Sequence, residues 1–175
     1  MGRTVSWYSC GAASAVATKL ELAENPDTVV AYCKVMEEHP DNERFLKDCE
    51  QWFDKEILVL MHDAYQGSCF NVFEKNYFRT QRGSPCTRAL KRQVREKFQQ
   101  PDDTIVFGYT ADEYDRYNDF IDRNNDLQVK VPLIDAGLDK SDVLAMIERA
   151  GIELPEMYKL GYEHNNCIGC VKGDF

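Results

Sequence analysis

The feature that most constrains this chain is a sustained alternation of short apolar strand-like runs with amphipathic helical runs. Residues 4–9 read as a strand and 14–24 as a helix with Val16, Ala17 and Leu20 on one face, joined by a tight turn of small residues. A second strand is expected over 27–35. His39-Pro40-Asp41-Asn42 ends it, and Asp41 or Asn42 is a natural N-cap for a helix over 43–55. The run Ile-Leu-Val-Leu-Met at 57–61 has the look of a strand buried on both faces. Residues 62–85 are less regular, with a helical stretch over 72–78; Pro85 then opens a clear helix over 86–99. A fourth strand (104–108), an acidic helix (111–123), a fifth strand (128–131) stopped by Pro132, and a helix (140–150) capped by Gly151 follow. The pattern predicts an α/β fold: a doubly wound, mainly parallel five-stranded sheet with helices on both faces. Residues 1–153 form one domain, and an irregular cysteine-containing tail, 154–175, packs on it. Such sheets bind ligands beyond the carboxyl ends of their strands. The loops at 9–14, 36–42, 62–70 and 108–113 therefore ring one expected site.

Charge and hydropathy narrow the partners. The 175 residues carry a formal charge of −9, which argues against a generalist nucleic-acid binder or a membrane-surface protein. No apolar run approaches the ~20 residues of a membrane span, and MGRTVSWYSCG lacks the apolar stretch of a secretory leader. A cytoplasmic protein is expected. Seven cysteines in such a chain point to thiols, metal ligands or catalytic groups rather than a disulfide framework.

The turn Ser9-Cys10-Gly11-Ala12-Ala13-Ser14 lies where a strand hands over to a helix, and its small side chains let backbone amides approach an anion at the helix start. It is not a Walker loop, since no Gly-Lys-Ser/Thr follows. It resembles the pyrophosphatase loop, Ser-Gly-Gly-x-Asp-Ser, of the adenine nucleotide alpha hydrolase superfamily, with Ser9, Gly11 and Ser14 matching. Cys10 replaces a Gly and Ala13 replaces the Asp of ATP-cleaving members, a loss familiar in the phosphoadenosine phosphosulfate (PAPS) reductase family. EHPDNERF, GSPCTRALK, VFGYTADE, PLIDAGLDKSDV and LPEMYKLGYEHNNCIGC are similar to segments of that family, and to its short bacteriophage forms in particular. The resemblance covers nearly the whole chain. It implies an adenine nucleotide or sulfonucleotide bound by Ser9, Cys10, Gly11, Ala12 and Ser14, with thioredoxin or glutaredoxin as the electron-donating partner and a homodimer left open. The Glu-Cys-Gly-Ile-His-like motif that carries the nucleophilic cysteine of assimilatory reductases does not occur up to Phe175.

Cys167-Ile168-Gly169-Cys170 is a C-x-x-C, a spacing that serves one metal or one disulfide. Cys86 lies 81 residues upstream at a helix start. Paired cysteines followed about eighty residues later by C-x-x-C resemble the 4Fe-4S ligand pattern of adenylylsulfate reductases, here with Pro85 in place of one ligand. That makes Cys86, Cys167 and Cys170 candidate metal ligands, the fourth position falling to Cys10, Cys69 or an exogenous group. Zinc held by Cys86, His164, Cys167 and Cys170 is the competing metal reading, and redox-active or inert thiols are the others. If no metal claims them, Cys167 and Cys170 are the candidate catalytic thiols. Cys33 and Cys49 are expected in the core.

Residues 79–97 hold seven basic side chains against one acid, Glu96, an island of positive charge in an acidic chain. Arg82, Arg88 and Lys91 flank Cys86 and are expected to meet a phosphate or sulfate. Arg92, Arg95 and Lys97 are expected on a solvated helix face. Glu38 follows the second strand where a ribose would lie, and Gly108 and Glu113 belong to the loop after the fourth. His39 and His62 are read as structural. Three functions stand open: thiol-dependent reduction of a sulfonucleotide to sulfite, sulfur transfer into nucleic acid with an iron-sulfur cluster, and nucleotide binding without catalysis.

Overall fold

The structure, a computed structural model, describes residues 2–76 and 84–170. Five parallel strands form one sheet in the order β3-β2-β1-β4-β5: β1 (Thr4–Tyr8), β2 (Val29–Cys33), β3 (Ile57–Leu60), β4 (Thr104–Val106) and β5 (Gln128–Lys130). The order reverses between β1 and β4. Val5 pairs with Val29 on one side and with Ile105 on the other, so the first strand is the middle one. The fold is therefore doubly wound, as the alternation required.

Each connection carries a helix because a parallel strand is reached only by a crossover. α1 (Ala12–Glu24), α2 (Asn42–Phe53) and α7 (Lys140–Arg149) cover one face. Tyr8, Val30, Tyr32 and Ile57 of the strands pack there with Val16, Phe45, Phe53, Leu133 and Ile147. Val5, Trp7, Ala31, Cys33 and Ile105, which point the opposite way, pack under Val94 of α4 (Gln93–Phe98). This two-on-two partition is the period-2 alternation of a strand read off in space. A smaller cluster, Val35, Cys69, Val72, Ala89 and Leu90, closes the far end against Cys86 and Cys167.

Four elements depart from the sequence reading. β3 is an edge strand, not one buried on both faces: Leu58, Val59 and Met61 are exposed, while Ile57 alone of the run is fully in the core. A continuous apolar run does not distinguish a central strand from an edge one. α3 (Cys69–Lys75) begins three residues early because Ser68 caps it through the Asn71 N–H. The helix after Pro85 opens with a π-helical stretch, Thr87–Arg92, before α4, a widening found often at functional sites. The short α6 (Pro132–Asp135) was not expected, although Pro132 at its first turn is a standard helix opening. An acidic 3-10 turn, Ala111–Glu113, leads into α5 (Tyr114–Arg123).

The tail folds back over the carboxyl ends of the strands. It forms α8 (Glu156–Lys159) and then pairs Glu38 with Cys167 in an antiparallel bridge, with Ile168 N–H donating to Glu37 O. Arg44 holds the start of the tail through Glu153 O and Leu154 O, and Asp41 binds Arg44 and the Glu156 N–H. Among the described residues no helix is long and apolar enough to cross a membrane.

Candidate functional site

A cleft of about 1200 Å³ opens at the carboxyl ends of the strands, between the β1–α1 loop, the π-helical stretch with α4, the β4 loop and the tail. That exceeds the ~300–1,000 Å³ of ordinary ligand pockets, and it lies where the strand order reverses.

The β1–α1 loop builds one wall. Cys10 takes a left-handed backbone (φ 56°) that turns the chain into α1, and Gly11 precedes the helix with no side-chain cap. Ser9 and Ser14 close the turn: Ser9 N–H donates to Ser14 Oγ (3.0 Å), and Ser14 Oγ donates to Gly11 O (2.9 Å). Small residues leave the first-turn amides of Ala12, Ala13 and Ser14 at the cleft. Tyr158 of α8, which the sequence reading passed over, sits there too, its hydroxyl accepting the Ala12 N–H (3.2 Å). Ser9, Gly11, Ala12, Ser14 and Tyr158 all line the cleft.

Two expected ligand contacts are committed elsewhere. The Cys10 side chain is fully buried and approaches Asn42 O. Burial, with the nearby Glu38 carboxylate, pushes its thiol well above the ordinary range. Cys10 thus serves the site through its backbone, whose carbonyl accepts from Asn165 Nδ2. Glu38 is also buried, and both its oxygens are occupied: Lys91 Nζ donates to one (3.1 Å), Tyr32 Oη and Asn42 Nδ2 to the other. The same ion pair engages Lys91, so of the three basic candidates Arg88, exposed at the cleft, has no acid partner among the described residues. Arg82 lies outside the described residues.

The β4 loop is shaped by close approach. A Cβ on Gly108 would lie 2.7 Å from Ser14 N and 2.8 Å from Ala13 O, so only glycine lets the loop pass the α1 start. Glu113 lines the cleft, but its carboxylate caps Thr110 and holds Arg116. Arg92 pairs with Glu96 and Lys97 with Asp63, both exposed as expected. Arg95 differs. It lines the cleft over the Phe107 ring at 5.0 Å, with Nε buried and unpartnered. Its placement on a solvated face is therefore corrected: one face of this helix turns inward where the sequence shows only an unbroken basic run.

The thiols gather at the far wall. Cys69 lies against both Cys86 and Cys167, and all three, with Cys170 and His164, line the cleft. The Cys69 contact, aided by the Thr87 N–H, draws Cys86 down to about 6 against the effect of burial. Cys167 is lowered by Cys69 and then by Lys91, burial opposing, while Cys69 itself is strongly raised by giving its hydrogen to two neighbours. The Cys69 contact thus lowers both neighbours, while the Cys86 charge works against Cys167. Among the described residues no three Cys, His, Asp or Glu side chains converge as a ligand set for a metal ion. Cys33 and Cys49 are buried, as expected.

The fold and the cleft define a doubly wound α/β protein with its site at the strand-order reversal. More narrowly, the fold is PAPS reductase-like. The chain is similar in structure to the phosphoadenylyl-sulfate (PAPS) reductase of Candida auris solved as a phosphate complex, with a TM-score of 0.67 at 10% identity, over 93% of this chain and 80% of that one. No protein-family model matches the chain, and no curated protein matches its sequence.

Proposed function

We propose that the cleft binds an adenine sulfonucleotide, PAPS or adenylylsulfate, and that its thiols reduce the sulfonyl group to sulfite. The observation carrying this reading is that Cys69, Cys86 and Cys167 meet on the wall of the same cleft that receives the α1 amides and Arg88. The nucleotide's phosphate oxygens would take the first-turn amides, where the helix dipole favours negative charge. Tyr158 must give up its bond to Ala12 for this to happen. Arg88, without an acid partner among the described residues, offers its guanidinium for the sulfonyl end.

The Cys167 thiolate would attack the sulfonyl sulfur and break its bond to the phosphate oxygen, releasing the nucleotide and leaving an S-sulfonated cysteine. A neighbouring thiol, from Cys86, Cys69 or Cys170, would then attack Cys167 Sγ, expel sulfite and form a disulfide. A thioredoxin- or glutaredoxin-class dithiol returns the two electrons. Sulfite released from adenylylsulfate or PAPS with a dithiol reductant is the test, with Cys167→Ser as the control. Sulfite formation abolished by that substitution is expected. Tight nucleotide binding with no sulfite from the wild type would move the chain to the non-catalytic reading.

A further inference from the structure

Arg95 is a cation placed in the cleft wall without a counter-ion among the described residues. Its Nε is buried and has no acceptor, its guanidinium stacks over Phe107, and no acid pairs with it among the described residues. The adjacent acid, Glu96, is already held by Arg92 at 2.8 Å. The remaining groups around it, Cys33 and Tyr109, are neutral in their ordinary states. Burial holds the Arg95 guanidinium below its usual value. A desolvated charge of this kind is costly unless something compensates it. A second orphan stands on the same face of the sheet: Trp7 Nε1, also buried and without an acceptor, on a side chain that shares a packing cluster with Cys33, Val94 and Phe107 and also lines the cleft. Two buried donors without acceptors among the described residues, one of them charged, thus belong to side chains that line one cleft.

We propose that Arg95, backed by the Trp7 indole N–H, is a further anion subsite of the cleft, beside the α1 amides and Arg88, taking a sulfate- or phosphate-class group. Its fork of N–H donors matches a tetrahedral oxyanion, and the aromatic wall of Trp7, Phe107 and Tyr109 excludes the water that would otherwise screen the charge. The identity of the ligand rests on the sulfonucleotide reading; the existence of the subsite does not.

The test is calorimetric titration of the full chain with sodium sulfate and with phosphate against chloride of equal ionic strength. Adenosine, adenosine 5′-monophosphate, adenylylsulfate and PAPS are titrated in the same way into wild type, Arg95→Met and Arg95→Lys. At least a tenfold loss for the anions in Arg95→Met is expected, partly restored in Arg95→Lys, with adenosine unchanged. The first anionic nucleotide in the series to show the loss tells whether the 5′-phosphate, the sulfonyl or the 3′-phosphate occupies the subsite. Thermal melting separates a site from a structural role: removing an unpaired buried charge should leave the free protein at least as stable, and sulfate should raise the melting temperature only where Arg95 is present. Anion binding unchanged in Arg95→Met, or an equal loss for uncharged adenosine, would overturn the subsite. Arg95-dependent anion binding with no sulfite production would instead leave the subsite standing and remove the reductase reading.

Discussion

Gly108 stands where β4 ends against the first turn of α1, with backbone rather than flexible side chain on the far side of the missing methyl. Gly108→Ala is expected to cost about 1–3 kcal/mol and to disturb the Ser9–Ser14 loop, measured by denaturant unfolding and by the loss of nucleotide affinity. The thiols give a second prediction. Because contact with Cys69 lowers Cys86 to about 6, its alkylation by iodoacetamide should persist at pH 7 and fall only as pH drops through that value. In Cys69→Ala the inflection should move up toward an ordinary thiol and labelling at pH 7 should slow several-fold, read by mass spectrometry of the Cys86 peptide. An unchanged profile would show that Cys69 does not set it. At this scale the sequence was partly legible. Ser9, Gly11, Ser14, Cys86 and Cys167 could be read from motif and spacing, but Glu38 and Lys91 neutralise each other across 53 residues, and Arg95, Trp7 and Tyr158 acquire meaning only from their neighbours. An arginine in a basic run carries no mark of whether its helix turns it inward.

The elements were easier to read than the contacts. Hydrophobic period placed all five strands and the long helices, because strand and helix leave different intervals between buried residues. It failed at β3, where an apolar run says nothing about its place in the order. Leu58→Lys and Val59→Lys, at exposed edge positions, are expected to change stability by no more than about 0.5 kcal/mol, while Ile57→Ala in the core should cost about 2–5 kcal/mol. The latch between α2 and the tail is pH-dependent. Asp41 is held below the usual carboxylate range, first by its hydrogen bonds from Arg44 and then, against some burial, by the Glu156 N–H. Its contribution is full above its unfolded value of about 3.9 and is lost as pH falls through the lower folded value. Asp41→Asn should weaken the latch by about 1–3 kcal/mol at neutral pH and speed proteolysis near 153–160. That difference from wild type should vanish in acid.

For the whole molecule, ligand and stability are coupled. A nucleotide that binds only the folded chain adds about 2.7 kcal/mol at a hundred times its dissociation constant, which for this size corresponds to a rise of very roughly 5–11 °C in melting temperature. Adenylylsulfate should give such a shift and adenosine a smaller one, measured by scanning calorimetry. The strand order also fixes a schedule. β1 is made first but lies in the middle, and its partner on one side, Thr104 to Val106, emerges a hundred residues later. At about 5–20 residues per second on the ribosome, the most buried strand waits roughly 5–20 s with one edge bare. During biosynthesis, then, the nascent chain presents Val5 and Trp7 to whatever chaperone or neighbouring chain is at hand, and the yield of soluble protein depends on how fast the distance from Thr4 to Thr104 is translated.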